Sequence, residues 1–392
     1  MLKNSQIIIT GMGSISPLGA DPNSMWRNYR KSETKILIRE IGNFDVLCAP
    51  LDKSENEYIN SIRNENKQFR HIDRSVLMAI HASRQAAKMA NLSTLNNIGV
   101  SIGSSRGATI TWEAHHESLL EKGKVSPLVS PMTTLGNISS WVAQDLQTNG
   151  PDISHSMTCT TGLHAIANGM AWLKAGMCKA FLCGGSEAPL TNFTIKQFQA
   201  LGLYSKDIEL PFPCMPLAAE ETLKNRLVIG EGAAVFNLEK YENHQEKYIL
   251  ARIKGLGFGF EKLSSSTSIS SSGDGFEKSM LNAMDAAGIN NLDAIIMHAP
   301  GTIQGDESEL NAIYKVFGDL NPILLSNKWM IGHTFGASST LSLELGIHIL
   351  HNQEYSDFPY AARVSSNSKE IKNIMINAAG FGGNYASIII SR

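Results

Sequence analysis

The sequence predicts an α/β fold in which strands alternate with helices, and three observations carry that expectation. Short apolar, β-branched runs recur along the chain and end in glycine or in a chemically active residue. Stretches of helical periodicity lie between them. The 392 residues are 43% hydrophobic with 33 glycines, enough to bury one large core or two intimate ones. In such a fold, active residues collect at strand C-termini and helix N-termini.

The run Gln6–Thr10, containing Ile7-Ile8-Ile9, reads as a buried strand closed by a Gly11-Met12-Gly13 loop. A helix is expected over 23–31, a polar loop or helical surface over 54–68, a helix over 72–89, and a strand over 97–101 that ends at Gly103. An Ala-rich helix begins at Cys159 and runs to about Leu173, and strands follow at 180–183 before Gly184-Gly185, at 233–238 and at 249–258. The polar segment 240–247 marks a seam between two halves, residues 1–245 and 246–392. The second half repeats the scheme coarsely: helix 275–287, strand 294–298, helix 307–317, strand 324–326, helix 337–351, and strands 374–377 and 385–390. The serine-rich stretch 264–272 reads as a mobile loop.

Composition excludes several functions. A net charge of −2 supplies no basic field for nucleic acid or an anionic membrane surface. Nowhere do about 20 apolar residues run together, so no membrane span is expected. Five cysteines without CxxC spacing suggest reduced thiols in a cytoplasmic setting. No metal-ligand spacing is readable, although a structural cation near Glu309 is conceivable.

Cys159 is the strongest chemical signal. It lies in Met157-Thr158-Cys159-Thr160-Thr161-Gly162, at the start of the Ala-rich helix, where orphan N–H groups and the helix dipole favour a thiolate and can hold an oxyanion. Two further strings stand at strand-to-loop junctions: His298-Ala299-Pro300-Gly301-Thr302, continuing to Asp306 and Glu309, and Lys328-Trp329-Met330-Ile331-Gly332-His333. A third, Gly380-Phe381-Gly382-Gly383, is a glycine-rich turn that allows close backbone approach and a second oxyanion N–H.

In this order, together with Thr10-Gly11-Met12-Gly13, Ser16-Pro17-Leu18-Gly19 and Ile229-Gly230-Glu231-Gly232-Ala233, these strings resemble the elongating β-ketoacyl-acyl-carrier-protein synthases of the thiolase-like condensing-enzyme superfamily nearly end to end. The resemblance implies a thiolase-like fold of two duplicated α/β halves in α-β-α-β-α layers. It implies that Cys159 accepts an acyl group from an acyl carrier protein, and that His298 and His333 complete a triad that decarboxylates a malonyl thioester. Lys328 matches a lysine that sets local charge, Phe381 an aromatic gate and oxyanion donor, and Thr302 a hydroxyl that binds the phosphopantetheine arm. Lys67 and Arg70 fall where the family carries a basic patch for the acidic carrier. No cofactor is implied beyond that carrier-borne arm, and the expected assembly is a homodimer or a heterodimer with a related chain-length subunit.

Several positions depart from the family. His298-Ala299-Pro300 replaces His-Gly-Thr, Asn384-Tyr385 replaces Thr-Asn, and Ser342 stands where a glutamate usually partners the lysine, with Glu344 two places on. Arg106 stands near where the family lines its acyl tunnel with an aliphatic residue, and a guanidinium there needs a partner. These departures point to a specialised, polyene- or polyketide-like acyl chain rather than to ordinary fatty-acid elongation alone. A thiolase would need a second cysteine near the C-terminus, and none follows Cys214; a carrier-priming synthase would show asparagine in place of His333. A non-catalytic chain-length partner is the alternative, and such subunits usually lose the cysteine.

Overall fold

The computed structural model describes residues 6–92, 96–135, 137–218, 224–243, 249–262, 269–320, 322–360 and 370–392. Ten strands pair side by side in the order Ile323–Leu325, Ala294–Ile296, Asn373–Gly380, Asn384–Ser391, Ala251–Phe260, Ile7–Ile15, Gly232–Lys240, Ala180–Glu187, Ile98–Gly103 and Asp152–Ile153. The two halves of the chain contribute five strands each and meet where Ile7–Ile9 pairs antiparallel with Ala251–Ile253. Moving outward from Ile7–Ile15, successive pairings are antiparallel, antiparallel, parallel and parallel. Moving outward from Ala251–Phe260 on the other side, they follow the same series. The duplication, coarse in the sequence, is explicit in the strand senses.

Strand alternation sorts the apolar residues into layers. Ile296, Ile376 and Ile388 face one way and share a buried cluster with Ile7, Ile9 and Phe236 from the other half. That cluster is filled by the helices Thr161–Lys174, through Leu163 and Ile166, and Ser338–Asn352, which is buried from Ser338 to Leu350. Ile295, Met375 and Ile389 face the opposite way, against Phe276 and Met280 of the helix Asp274–Ala287. Val100, Leu182 and Val235 likewise face the helix Arg74–Met89. Helix, sheet, paired helices, sheet and helix make up the α-β-α-β-α arrangement.

Glycines let the outer helices lie directly on strand backbone. The strand does not close at Gly11-Met12-Gly13, as the sequence suggested, but runs through it to Ile15 with a register shift between Ile9 and Gly11. A Cβ on Gly13 would strike the Ala82 carbonyl of helix Arg74–Met89, and one on Gly257 would strike the Ser279 carbonyl of helix Asp274–Ala287. The same device therefore recurs in both halves. Gly184-Gly185 also lies inside its strand, Ala180–Glu187.

Of the two readings of the polar stretch 54–68, the helical surface holds: it is a helix, Lys53–Glu65, followed by a 3-10 turn, Lys67–His71, with Ile59 and Ile62 as buried apolar anchors. Other elements differ from expectation for readable reasons. The helix Thr109–Lys122 buries no residue, so it carries no apolar period by which to be recognised. The helix after His298 starts at Ile303, four residues earlier than expected. Half of the seam 240–247 and most of the serine stretch 264–272 lie outside the described residues. Among the described residues, no helix is long and apolar enough to cross a membrane.

Gly257→Ala, which overpacks a contact against backbone, is expected to destabilise the fold by about 1–3 kcal/mol. The measurement is a urea melt, with a lowered midpoint at unchanged slope. An unmoved midpoint would mean that the helix yields freely and the contact is not constraining.

Candidate active site

Cys159 stands two residues before the helix Thr161–Lys174, and the turn that presents it is strained. Thr158 adopts a left-handed φ of 52°, which costs a non-glycine residue about 1–3 kcal/mol and occurs most often at functional positions. Its hydroxyl is 2.7 Å from the Met157 carbonyl and 3.3 Å from that of Phe381. Any Cβ on Gly380 would collide with this hydroxyl and lie 3.1 Å from the Cys159 nitrogen. Glycine at 380 therefore lets the Phe381–Gly383 turn rest against the nucleophile. Neither the Cys159 nor the Phe381 N–H meets an acceptor among the described residues.

The C-terminal half supplies the imidazoles. His333 Nε2 lies 3.2 Å from Cys159 Sγ. The His298 ring meets the His333 ring edge-on, with centroids 5.2 Å apart and planes at 88°. His298 follows the strand Ala294–Ile296, and Glu309 fixes its loop by accepting the N–H groups of His298 at 3.0 Å and Ala299 at 2.8 Å. Asn377 Nδ2 holds that carboxylate at 2.9 Å. The backbone of His333 is locked to the Ile229-Gly230 segment, donating to the Val228 carbonyl at 2.7 Å and accepting from Gly230 at 3.1 Å. Its Nδ1 is buried without a partner among the described residues, so no hydrogen bond pins the tautomer.

Burial governs the charges. It pushes the Cys159 thiol up to about 12, aided by the negative charge of Glu187, while Lys328 and Arg106 pull in the other direction. Burial takes His333 down to about 3, with the Lys328 charge second, and holds His298 well below the usual imidazole range, with His333 and Lys328 adding to it. The thiolate expected at this helix N-terminus is therefore overruled by desolvation. The resting site is a thiol beside a neutral imidazole, and the helix end is positioned to stabilise charge that develops during reaction.

Lys328 is buried, and its Nζ donates to the Met297 carbonyl at 3.3 Å. It makes no ion pair among the described residues, and burial lowers it to about 8 against the opposing pull of Glu309. Ser342 bonds Asn327 Oδ1 at 3.3 Å, while Glu344 accepts from Ser14 Oγ at 2.5 Å and lies 3.8 Å from His348. Glu344 thus does not replace the missing glutamate.

Phe381 stacks on Phe198 with centroids 6.2 Å apart; Phe198 meets Phe335 at 4.9 Å, and Phe335 meets His333 at 5.2 Å. Cys159 packs against this aromatic group together with Ile195 and Leu190. The Arg106 guanidinium lies 5.9 Å from the Phe335 centroid, with Nη2 on Gln197 Oε1. Thr302 is buried at the cap of helix Ile303–Phe317, where Asp306 Oδ1 accepts the N–H groups of Gly301 at 3.1 Å and Thr302 at 3.4 Å. Lys67 and Arg70 are not part of this cluster. They are exposed on the turn Lys67–His71, beside Arg63, which holds the Arg70 carbonyl at 3.1 Å, and Arg74, which is paired with Glu231 at 2.7 Å.

Sequence reading missed Glu187. This fully buried carboxylate accepts from Ser104 Oγ at 2.6 Å, the Ser105 N–H at 2.8 Å and Oγ at 2.7 Å, the Arg106 N–H at 3.1 Å and the Gly336 N–H at 2.9 Å. It ties the Ser104–Arg106 turn to the loop that carries His333. The available signal was an acid closing the apolar strand that begins at Ala180.

A thiol and two imidazoles drawn together from the two halves of a duplicated α/β fold define a condensing enzyme of the acyl-transfer class. The sequence matches the beta-ketoacyl synthase N-terminal domain over residues 4–244 and the C-terminal domain over residues 250–357. It is 31% identical to the 3-oxoacyl-[acyl-carrier-protein] synthase 2 of Staphylococcus aureus, covering 100% of this chain and 99% of that protein, and 28% identical to the Coxiella burnetii protein of the same name over the same shares. The chain belongs to the β-ketoacyl synthase family. Its fold is also that of the ishigamide ketosynthase/chain length factor, with TM-score 0.86 at 22% identity over 99% of both chains. A ketosynthase in complex with its chain length factor from Xenorhabdus doucetiae gives TM-score 0.80 at 20% identity over 99% of this chain and 98% of that one.

Because the thiol sits at about 12, its thiolate fraction rises tenfold per pH unit across the neutral range. Alkylation of Cys159 by iodoacetamide, followed by intact mass, is therefore expected to accelerate about tenfold per unit from pH 7 to 9. A rate that levels off at or below pH 8 would show a stored thiolate instead.

Proposed function

We propose that Cys159, His298 and His333 act as one unit in decarboxylative condensation on carrier-borne thioesters. The 3.2 Å approach of His333 Nε2 to Cys159 Sγ, with His298 edge-on to the same ring, carries this reading. Cys159 attacks the acyl thioester; a carbon–sulfur bond forms, and the thiol proton leaves through His333 to the departing pantetheine sulfur. The tetrahedral oxyanion takes the N–H groups of Cys159 and Phe381. Malonyl thioester then loses CO₂. The enolate oxygen is held by the two imidazoles, for which the unpinned tautomer of His333 allows Nε2 to donate once the sulfur is acylated. The enolate carbon attacks the acyl-cysteine carbonyl, the new carbon–carbon bond forms as the carbon–sulfur bond to Cys159 breaks, and the released sulfur takes a proton from solvent.

In this reading Lys328 is a positioning residue whose charge disfavours imidazolium at both histidines, and Phe381 separates the acyl and malonyl sides. Thr302 contacts the phosphopantetheine arm of an acyl carrier protein, Lys67 and Arg70 meet the acidic carrier, and Arg106 contacts the acyl chain. The substrate is a specialised polyene- or polyketide-like chain or a fatty-acyl chain, handled in the cytoplasm. A second ketosynthase-like chain, identical or related, covers the exposed Trp112, Leu119 and Leu120 of the helix Thr109–Lys122. Cys159→Ala is expected to abolish condensation. His298→Ala and His333→Ala should slow malonyl decarboxylation by about 10²–10³-fold, a loss typical of removing one oxyanion donor. Release of labelled CO₂ and mass analysis of the carrier check both, and full elongation by either histidine variant would remove the assignment.

A further inference from the structure

The aromatic cluster beside Cys159 is suited to hydrocarbon, yet a guanidinium reaches into it. Arg106 is half-buried against Phe335, and its only described side-chain hydrogen bond is from Nη2 to Gln197. Its Nε is buried with no partner among the described residues. A chain of methylene groups could not satisfy that donor, and an aliphatic residue would line the pocket at lower cost. Glu187 does not answer it: that carboxylate accepts from backbone and serine groups, including Arg106's own N–H, and forms no ion pair with the guanidinium among the described residues.

Local charge decides which acceptor fits. Glu187 and Glu113 both act on Arg106 from nearby, and Glu113 is held by Thr191 Oγ1 at 2.6 Å. The negative charges of these two carboxylates weaken the pull of the guanidinium on an anion. What remains is a directional donor for a neutral oxygen. The guanidinium lies against Phe335, whose ring also meets His333, and its charge is felt at Cys159, so it stands within range of an acyl chain carried on that sulfur.

Resting on the reading of Cys159 as the acyl carrier, we infer that this synthase selects acyl chains bearing a neutral keto or hydroxyl oxygen, which Arg106 engages by hydrogen bonding in the aromatic pocket. The test is single-turnover loading of Cys159, followed by intact mass, from acyl carriers of matched chain length. The chains are unsubstituted, bear one keto or hydroxyl group at successive positions, or end in a carboxylate. The expected result is loading at least roughly tenfold faster for oxygen at one position, since a site built around a hydrogen bond discriminates against analogues that lack it. Arg106→Leu should remove this preference and accelerate the unsubstituted chain, while Arg106→Gln, which keeps a donor without charge, should retain part of it. Parent-enzyme preference for the unsubstituted or the carboxylate-ended chain would overturn the inference without any variant needing to fold. If plain chains load and condense with no oxygen preference, the condensing function stands and this inference falls; if no chain loads Cys159, both fall.

Discussion

Withholding water from two imidazoles, and in part from the half-buried thiol beside them, is the constraint on which the rest of the site depends. In bulk water His298 and His333 would titrate close to neutrality and Cys159 not far above it. In this pocket desolvation drives all three toward their neutral forms, the histidines down and the cysteine up. Lys328 reinforces the effect, because a buried ammonium nearby makes a second cation on either imidazole unfavourable. The reaction can then develop charge where it is needed, on a tetrahedral oxygen and on an enolate, against donors already in place.

Holding such groups together takes more than apolar packing. Cys159 comes from the first half of the chain and both histidines from the second, and each histidine arrives on a loop whose backbone donors are taken up by a buried carboxylate. Glu309 gathers the N–H groups of His298 and Ala299, Asp306 those of Gly301 and Leu217, and Glu187 those of Ser105, Arg106 and Gly336. Each acid is buried, and burial raises its pKa. Backbone donors offset that cost, so the carboxylates act as fixed clamps. The strand-borne glycines beneath the outer helices do the corresponding work for the layers, setting how closely each outer helix lies on its own half's strands.

The strings that meet at the candidate site were legible because the chemistry proposed for them restricts them: a cysteine before a small-residue helix, two histidines at strand-to-loop junctions, and a glycine turn at Phe381. Strand–helix alternation was legible from period alone. The misread features share a cause, since each depends on a neighbour remote in sequence. Gly13 looked like a loop because nothing local announces that Ala82 will lie on it. Glu187 passed unnoticed because its five donors come from residues 104–106 and 336. The thiol was expected to be ionised because the helix end is visible in sequence, whereas burial and the Glu187 charge are not. The replacement at Ser342 was also legible, and its consequence holds: Ser342 cannot supply a carboxylate to Lys328, and Glu344 is engaged with Ser14.

The central claim is that the resting triad is uncharged. Nitrogen NMR of the protein labelled at histidine reads it directly, with His298→Ala and His333→Ala variants assigning the signals. The account predicts that both rings stay neutral from pH 8 down to pH 5, since His333 is lowered to about 3 and His298 is held well below the ordinary value. An imidazolium signal at pH 7 from either residue, paired with a thiolate at Cys159, would contradict it.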